Sequence, residues 1–269
     1  MVPRIGKLVG LATSIVLLVA LVSPAAAASS AMVRVLHASP DAPAVDIYVN
    51  GSKVGAPLAG LAFGDLSAYV PLAAGTYDIK VCASADASIC PIDLNGANAV
   101  TVAAGTNYTI AATNNLATIE AQILVDAPAP VADKAQVRVV HFSADTPAVD
   151  VLTQAGAHIG VDNLSYPNAT GYLSLPGGSY DLKVCAHADN TVCPLDPGAL
   201  TLANGTSYTV FAIGSLEGTT LTAAVGIDGA VMANTAMSRT GTSPLVLIGL
   251  LLVGLAVVSG ARSVSRRTA

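Results

Sequence analysis

One long segment of this chain is written twice, and that repetition limits its fold more than any other feature. Arg34-Val35-Leu36-His37-Ala38-Ser39-Pro40-Asp41-Ala42-Pro43-Ala44-Val45-Asp46 returns 104 positions later as Arg138-Val139-Val140-His141-Phe142-Ser143-Ala144-Asp145-Thr146-Pro147-Ala148-Val149-Asp150. Tyr77-Asp78-Ile79-Lys80-Val81-Cys82-Ala83 returns after 103 positions, and Gly105-Thr106-Asn107-Tyr108-Thr109 after 100. The drifting offset places small deletions between the matches, where loops absorb them. A period near 100 is domain-sized, so the chain holds a tandem duplication.

Each copy reads as strands. Val33, Val35 and His37 alternate with Arg34 and Leu36; Val45, Ile47 and Val49 alternate with Asp46, Tyr48 and Asn50; Tyr77, Ile79 and Val81 alternate with Asp78 and Lys80. A period of two belongs to sheets with one buried and one wet face. Asn50-Gly51, Gly64-Asp65, Ala74-Gly75 and Ala104-Gly105 supply turns. The pattern predicts an all-β fold: two tandem antiparallel β-sandwiches of an immunoglobulin-like or transthyretin-like kind, at residues 31–126 and 136–227. The proline-rich segment 127–135 reads as the linker between them.

Both copies carry two cysteines separated by seven residues, Cys82 and Cys90, then Cys185 and Cys193. Four cysteines permit three pairings. Duplication selects one, because each module closed its own bridge before it was copied. Cys82–Cys90 and Cys185–Cys193 are therefore expected. Zinc ligation is the weaker reading, since no Cys-x2-Cys spacing occurs.

The two ends read as an address. Arg4 and Lys7 precede an apolar run from Leu8 to Val22, and Pro24 with the alanines at 25–28 supplies the small residues of a cleavage site. Residues 1–28 thus look like a signal peptide. Residues 228–243 read as a polar stalk. Pro244 to Ala261 is an uncharged apolar stretch, about 27 Å long as a helix and sufficient to span a bilayer core. Arg262, Arg266 and Arg267 in the tail 262–269 place that end in the cytoplasm and the repeated part outside. Between the end segments seven cations face seventeen acids, a net charge of −10. Such a surface repels phosphate backbones, which argues against nucleic acid as a partner.

Two resemblances follow from these residues. The opening motif, with Leu61-Ala62-Phe63-Gly64-Asp65 and Leu72-x-x-Gly75-Thr76-Tyr77, resembles the domain-of-unknown-function 4397 (DUF4397) family of bacterial and archaeal surface proteins. The second copy keeps the opening and Leu175-Pro176-Gly177-Gly178-Ser179-Tyr180, but has Tyr166-Pro167-Asn168 at the Phe-Gly-Asp turn. The resemblance implies an extracellular β-sandwich and brings no catalytic residue with it. Met237-Ser238-Arg239-Thr240-Gly241, followed by an apolar span and basic tail, resembles a degenerate sortase signal. It matches at Arg239-Thr240-Gly241 and departs at Met237-Ser238, so a membrane anchor is the better expectation than wall attachment through Thr240.

The candidate chemistry lies in one polar loop per copy: His37, Ser39, Asp41 and Asp46, matched by His141, Ser143, Asp145 and Asp150. Histidine, serine and acid together suggest an envelope hydrolase. Yet no Gly-x-Ser-x-Gly elbow occurs, and nucleophilic serine chemistry needs an oxyanion hole and an oriented base. The structural reading is that each histidine bonds its loop backbone while Asp41 and Asp46 cap the turn. Arg34 and Asp46, and Arg138 and Asp150, could pair between neighbouring strands as a structural contact. No Asp-x-Asp-x-Asp ladder or His-x-His pair appears, so no metal or other cofactor is expected. Sugar stacking finds little support, since the chain has no Trp and only Tyr48, Phe63 and Tyr166 fall outside the repeated tyrosines. The sequons at Asn50, Asn107, Asn163, Asn168 and Asn204 are common by chance in a sequence this rich in Asn, Ser and Thr, and in a bacterium they mostly carry no meaning. The expectation is a non-enzymatic envelope protein, anchored in the membrane by its C-terminal helix, that binds an extracellular protein or envelope polymer or acts as a spacer. A hydrolase using the His37/Asp41 or His141/Asp145 loops is the alternative.

Overall fold

The alternation seen in the sequence becomes ten strands in the first module and eight in the second, in a computed structural model that describes residues 30–126 and 128–230. The expected signal peptide, membrane helix, basic tail, Thr240 and most of the stalk lie outside the described residues. Among those described, no helix is long and apolar enough to cross a membrane.

In the first module, β1 (Ala31–His37), β4 (Val70–Leu72), β9 (Asn107–Thr113) and β10 (Glu120–Asp126) form one sheet in the order β10-β9-β1-β4. The facing sheet holds β2 (Val45–Val49), β3 (Ser52–Lys53), β6 (Ile79–Ala83) and β7 (Ile92–Leu94) in the order β3-β2-β6-β7. A small ribbon pairs β5 (Gly75–Tyr77) with β8 (Val100–Val102). The second module repeats the plan. β11 (Ala135–Phe142), β14 (Leu173–Leu175), β17 (Thr206–Ile213) and β18 (Thr222–Ala230) make one sheet. The other contains β12 (Val149–Thr153), β13 (His158–Leu164), β15 (Gly178–Ala186) and β16 (Leu195–Leu202). Pairing is antiparallel throughout, with one exception per module. β1 runs parallel to β9, and β11 to β17, because the chain crosses the opposite sheet before returning beside its first strand.

Each sandwich has its own core. Val33, Val35, Ile47, Ile79, Val81 and Ile110 fill the first; Val139, Val151, Val161, Leu182 and Val184 fill the second. Both expected disulfides form, Cys82–Cys90 and Cys185–Cys193, each within its module.

The outer faces of β1/β9 and β11/β17 depart from the sequence reading. They are not wet. Leu36, Ala38 and Ala111 of the first module cluster with Val140, Phe142, Phe211 and Ile213 of the second, all fully or almost fully buried. The two modules therefore pack back to back through an apolar seam, as four sheet layers, and every residue of β11 is buried. The side chains are complementary in size. Where the second module has Phe142 and Phe211, the first has Ala38 and Ala111; where the first has Leu124, the second has Gly226. A Cβ at Gly226 would sit 2.6 Å from Leu66 Cδ2 and clash with the Arg34 guanidinium, so this strand position requires glycine for close approach.

The connecting segment is docked. Gly205 donates its amide to the carbonyls of Val131 and Lys134 at 3.0 and 2.8 Å. β18 continues through Ala230, three residues into the stretch read as a stalk.

Candidate functional site

Arg34 and Arg138 lie on the seam face of β1 and β11, and neither pairs with the aspartate that the sequence suggested. Arg34 donates from Nη2 to Asp228 Oδ1 at 2.5 Å, from Nε to Thr109 Oγ1 at 2.8 Å and from Nη1 to the Ile227 carbonyl at 3.2 Å. Arg138 mirrors it, with Asp126 Oδ1, Thr209 Oγ1 and the Val125 carbonyl as acceptors. Each arginine thus reaches the aspartate of the other module. Asp126 also accepts from Tyr69 and Thr109, both at 2.6 Å, and Asp228 from Tyr172 at 2.7 Å and Thr209 at 2.6 Å. The guanidinium carbons lie 4.5 Å from the Tyr69 ring centroid and 5.1 Å from that of Tyr172. Burial, then the aspartate partner, pushes both phenols well above their ordinary value. The suggested Arg34–Asp46 and Arg138–Asp150 pairs fail because arginine and aspartate leave their strands toward opposite sides of the sandwich. Asp46 instead bonds Lys53, and Asp150 bonds His187.

Each signature loop folds back on its own histidine. His37 is fully buried at the end of β1, with Nε2 3.0 Å from the Pro43 carbonyl oxygen. His141 repeats this at 3.1 Å from Pro147. A carbonyl oxygen only accepts, which assigns a proton to Nε2 in both rings. In the second module Nδ1 receives the Ser143 amide at 3.3 Å. Burial holds this imidazole below its ordinary value, so the ring is kept neutral. In the first module His37 Nδ1 and the Ser39 hydroxyl are buried without partners. One residue accounts for the serine: Thr146 Oγ1 lies 2.7 Å from Ser143 Oγ, and Ala42 stands at the matching position.

The loop aspartates bind neighbouring turns. Asp41 accepts the Leu116 amide at 2.7 Å. Asp145 accepts the Ser215 hydroxyl and the amides of Leu216 and Glu217 at 2.6, 2.9 and 3.0 Å. Burial raises the Asp145 carboxyl, but these bonds outweigh it and hold the group below the ordinary carboxylate range. Among the described residues, neither histidine is hydrogen-bonded to the hydroxyl of its loop serine or to Asp41 or Asp145. The two stitched loops meet at one end of the seam and line an open cleft of about 450 Å³, with Asp41 and Asn115 on one side and Asp145, Ser215 and Glu217 on the other. Two residues reserved for sugar stacking lie at the seam. Phe63 packs against its apolar cluster, and Tyr166 donates across it to Glu120 at 2.6 Å. Burial and then Glu120 push the Tyr166 phenol up to about 12.

A family model described as a domain of unknown function, DUF4397, matches residues 31–152 and again 145–239. The chain belongs to this family. No curated protein matches it. Each DUF4397 copy supplies one arginine and one aspartate to the seam and one loop to the cleft.

One further cluster lies on the second copy alone. Asp150, His158 and Asp162 each offer a ligand atom within 4.8 Å of the others. His158 and Asp162 were not among the residues singled out from sequence, and no metal motif flags them. The signal lay in comparing the copies: Lys53 becomes His158, and Ser84 becomes His187.

Proposed function

We propose that the chain is a non-enzymatic protein of the cell envelope, in which two DUF4397 modules fused into one body present a binding surface on the outside of the cell. The observation that carries this reading is the state of the signature loops. Their histidines are sealed in the core with Nε2 bonded to a loop carbonyl, and their aspartates cap neighbouring turns. A nucleophile needs a base within hydrogen-bond reach and a third group orienting that base; here each of those side chains already holds the loop together.

Binding, beyond spacing, is supported by the open edge strands. Ile123 and Val125 of β10, and Val225 and Ile227 of β18, are 43, 54, 45 and 58% exposed. They continue the core-facing side of each sheet past its last neighbour, and exposed β-branched residues on an open edge favour contact with a partner. The test has two arms. Purified full-length chain is offered fluorogenic esters, peptides and glycosides, and no turnover is expected. Immobilised chain is then offered envelope polysaccharide and protein fractions, and retention is expected to fall in the I123K/V125K and V225K/I227K variants. Turnover that disappears in S39A or S143A establishes the hydrolase instead.

A further inference from the structure

The same corner of the sandwich is closed differently in the two modules. In the first, Asp46 is almost wholly buried near the start of β2, and the Lys53 ammonium reaches over it, Nζ 2.6 Å from Oδ2. The Gly60 amide donates to Oδ1 at 2.8 Å. The corner is an anion with a cation fixed above it.

In the second module Asp150 is equally buried, and the Asn163 amide donates to its Oδ1 at 2.7 Å, as Gly60 does in the first. The ammonium is gone. His158 occupies the place of Lys53, and Asp162, which precedes Asn163, occupies that of Ala59. Among the described residues no lysine or arginine pairs with Asp150 or Asp162. A buried carboxylate has thus lost its fixed cation and gained a second carboxylate and an imidazole, about half-exposed at 52 and 46%.

Backbone geometry brings these groups together. Residues four apart on a regular strand are about 13 Å apart, yet His158 Nδ1 is hydrogen-bonded to Asp162 Oδ1. β13 permits this because its pairing with β12 shifts register twice and because Gly160, which lies between the two residues, has φ of 94°. His187 Nδ1, 2.8 Å from Asp150 Oδ1, braces the carboxylate from another strand end.

We propose that Asp150, His158 and Asp162 form a binding site for a divalent first-row transition ion, zinc being the first to try, which takes the place held by the Lys53 ammonium in the first module. One imidazole nitrogen and two carboxylate oxygens suit such an ion. Zinc bonds of about 2.0–2.2 Å hold tetrahedral ligand atoms about 3.3–3.6 Å apart, inside the present limit of 4.8 Å; to admit the ion, the His158–Asp162 hydrogen bond opens and its proton leaves to solvent. The half-exposed side leaves room for water at the remaining positions. His187 acts as a positioning residue, its ring bonded to the ligating carboxylate.

Equilibrium dialysis of the full-length chain against zinc, after stripping with a chelator, tests the site. One equivalent per chain is expected, with none at the Asp46 corner. H158Q/D162N should lose that equivalent while unfolding at nearly the temperature of the metal-free parent, because both side chains are half-exposed. H187A should weaken binding about 10–100-fold. Cobalt in place of zinc gives a second readout, visible absorption bands that vanish in H158Q/D162N. Zinc uptake identical in the parent and H158Q/D162N, or no uptake by the parent, overturns the proposal.

Discussion

The seam and the Asp46/Asp150 corner have had different fates in the two copies. At the seam the polar residues are the same on both sides: Arg34 and Arg138, Thr109 and Thr209, Asp126 and Asp228, Tyr69 and Tyr172. At the corner only the buried aspartate persists, and Lys53 and Ser84 become His158 and His187. The physical difference is solvent. A seam arginine is 2–6% exposed, and removing either partner of a buried pair strands a charge in a medium that cannot solvate it. Lys53, 49% exposed, lies where water can replace it, so that position is free to acquire other chemistry. The apolar part of the seam differs between the copies by exchanges of opposite sense, Ala38 and Ala111 in the first matched by Phe142 and Phe211 in the second, and Leu124 by Gly226, and packed interiors tolerate exchange when total volume is kept.

The largest effect expected from breaking this comparison is at the ion pairs. R34A should lower unfolding free energy by about 3–5 kcal/mol and expose the 128–134 segment to protease, and R138A should do the same. Urea midpoints read both. A mild effect of either one would show that the two reciprocal pairs are not equivalent.

Next is the glycine facing Arg34. G226A introduces a methyl against Leu66 and the guanidinium, and overpacking of this kind costs about 1–3 kcal/mol. The same assay checks it, and an unchanged midpoint would mean that the seam has slack at β18.

The histidine pockets sharpen the comparison through pH. The His141 ring is held below its ordinary value in the folded chain, so over the interval between its folded value and about 6.5 the unfolded chain binds a proton that the folded chain refuses. Stability from this group is complete above about pH 6.5 and is lost as pH falls through the folded value. Melting temperature should therefore decline from pH 7 to 5, before the lowered carboxylates Asp46, Asp145 and Asp150 contribute their own loss at lower pH. A flat profile over that range would place the ring in a wetter pocket.

The smallest change is a gain. A42T offers the Ser39 hydroxyl the partner that Thr146 gives Ser143, and one buried hydrogen bond contributes about 1 kcal/mol. A modest rise in the melting temperature is expected, and T146A should show the converse.

The period-two alternation, the turn residues and the duplication were enough to establish β-sandwiches and the disulfides Cys82–Cys90 and Cys185–Cys193, because strand patterning and short covalent loops are local properties. The alternation also separated Arg34 and Leu36 from Val33 and Val35. What it left undetermined was the destination of that second face. Nothing near Arg34 in sequence names Asp228, almost two hundred residues away, and a face that packs on another sheet alternates in the same way as one that meets water. The corner was hidden for a related reason. His158 and Asp162 are far apart on an ideal strand, and only the bulged backbone of β13 folds them over Asp150. Local chemistry wrote the modules; the burial of one against the other, a long-range event governed by complementary volume and paired charge, decided what their shared surfaces became.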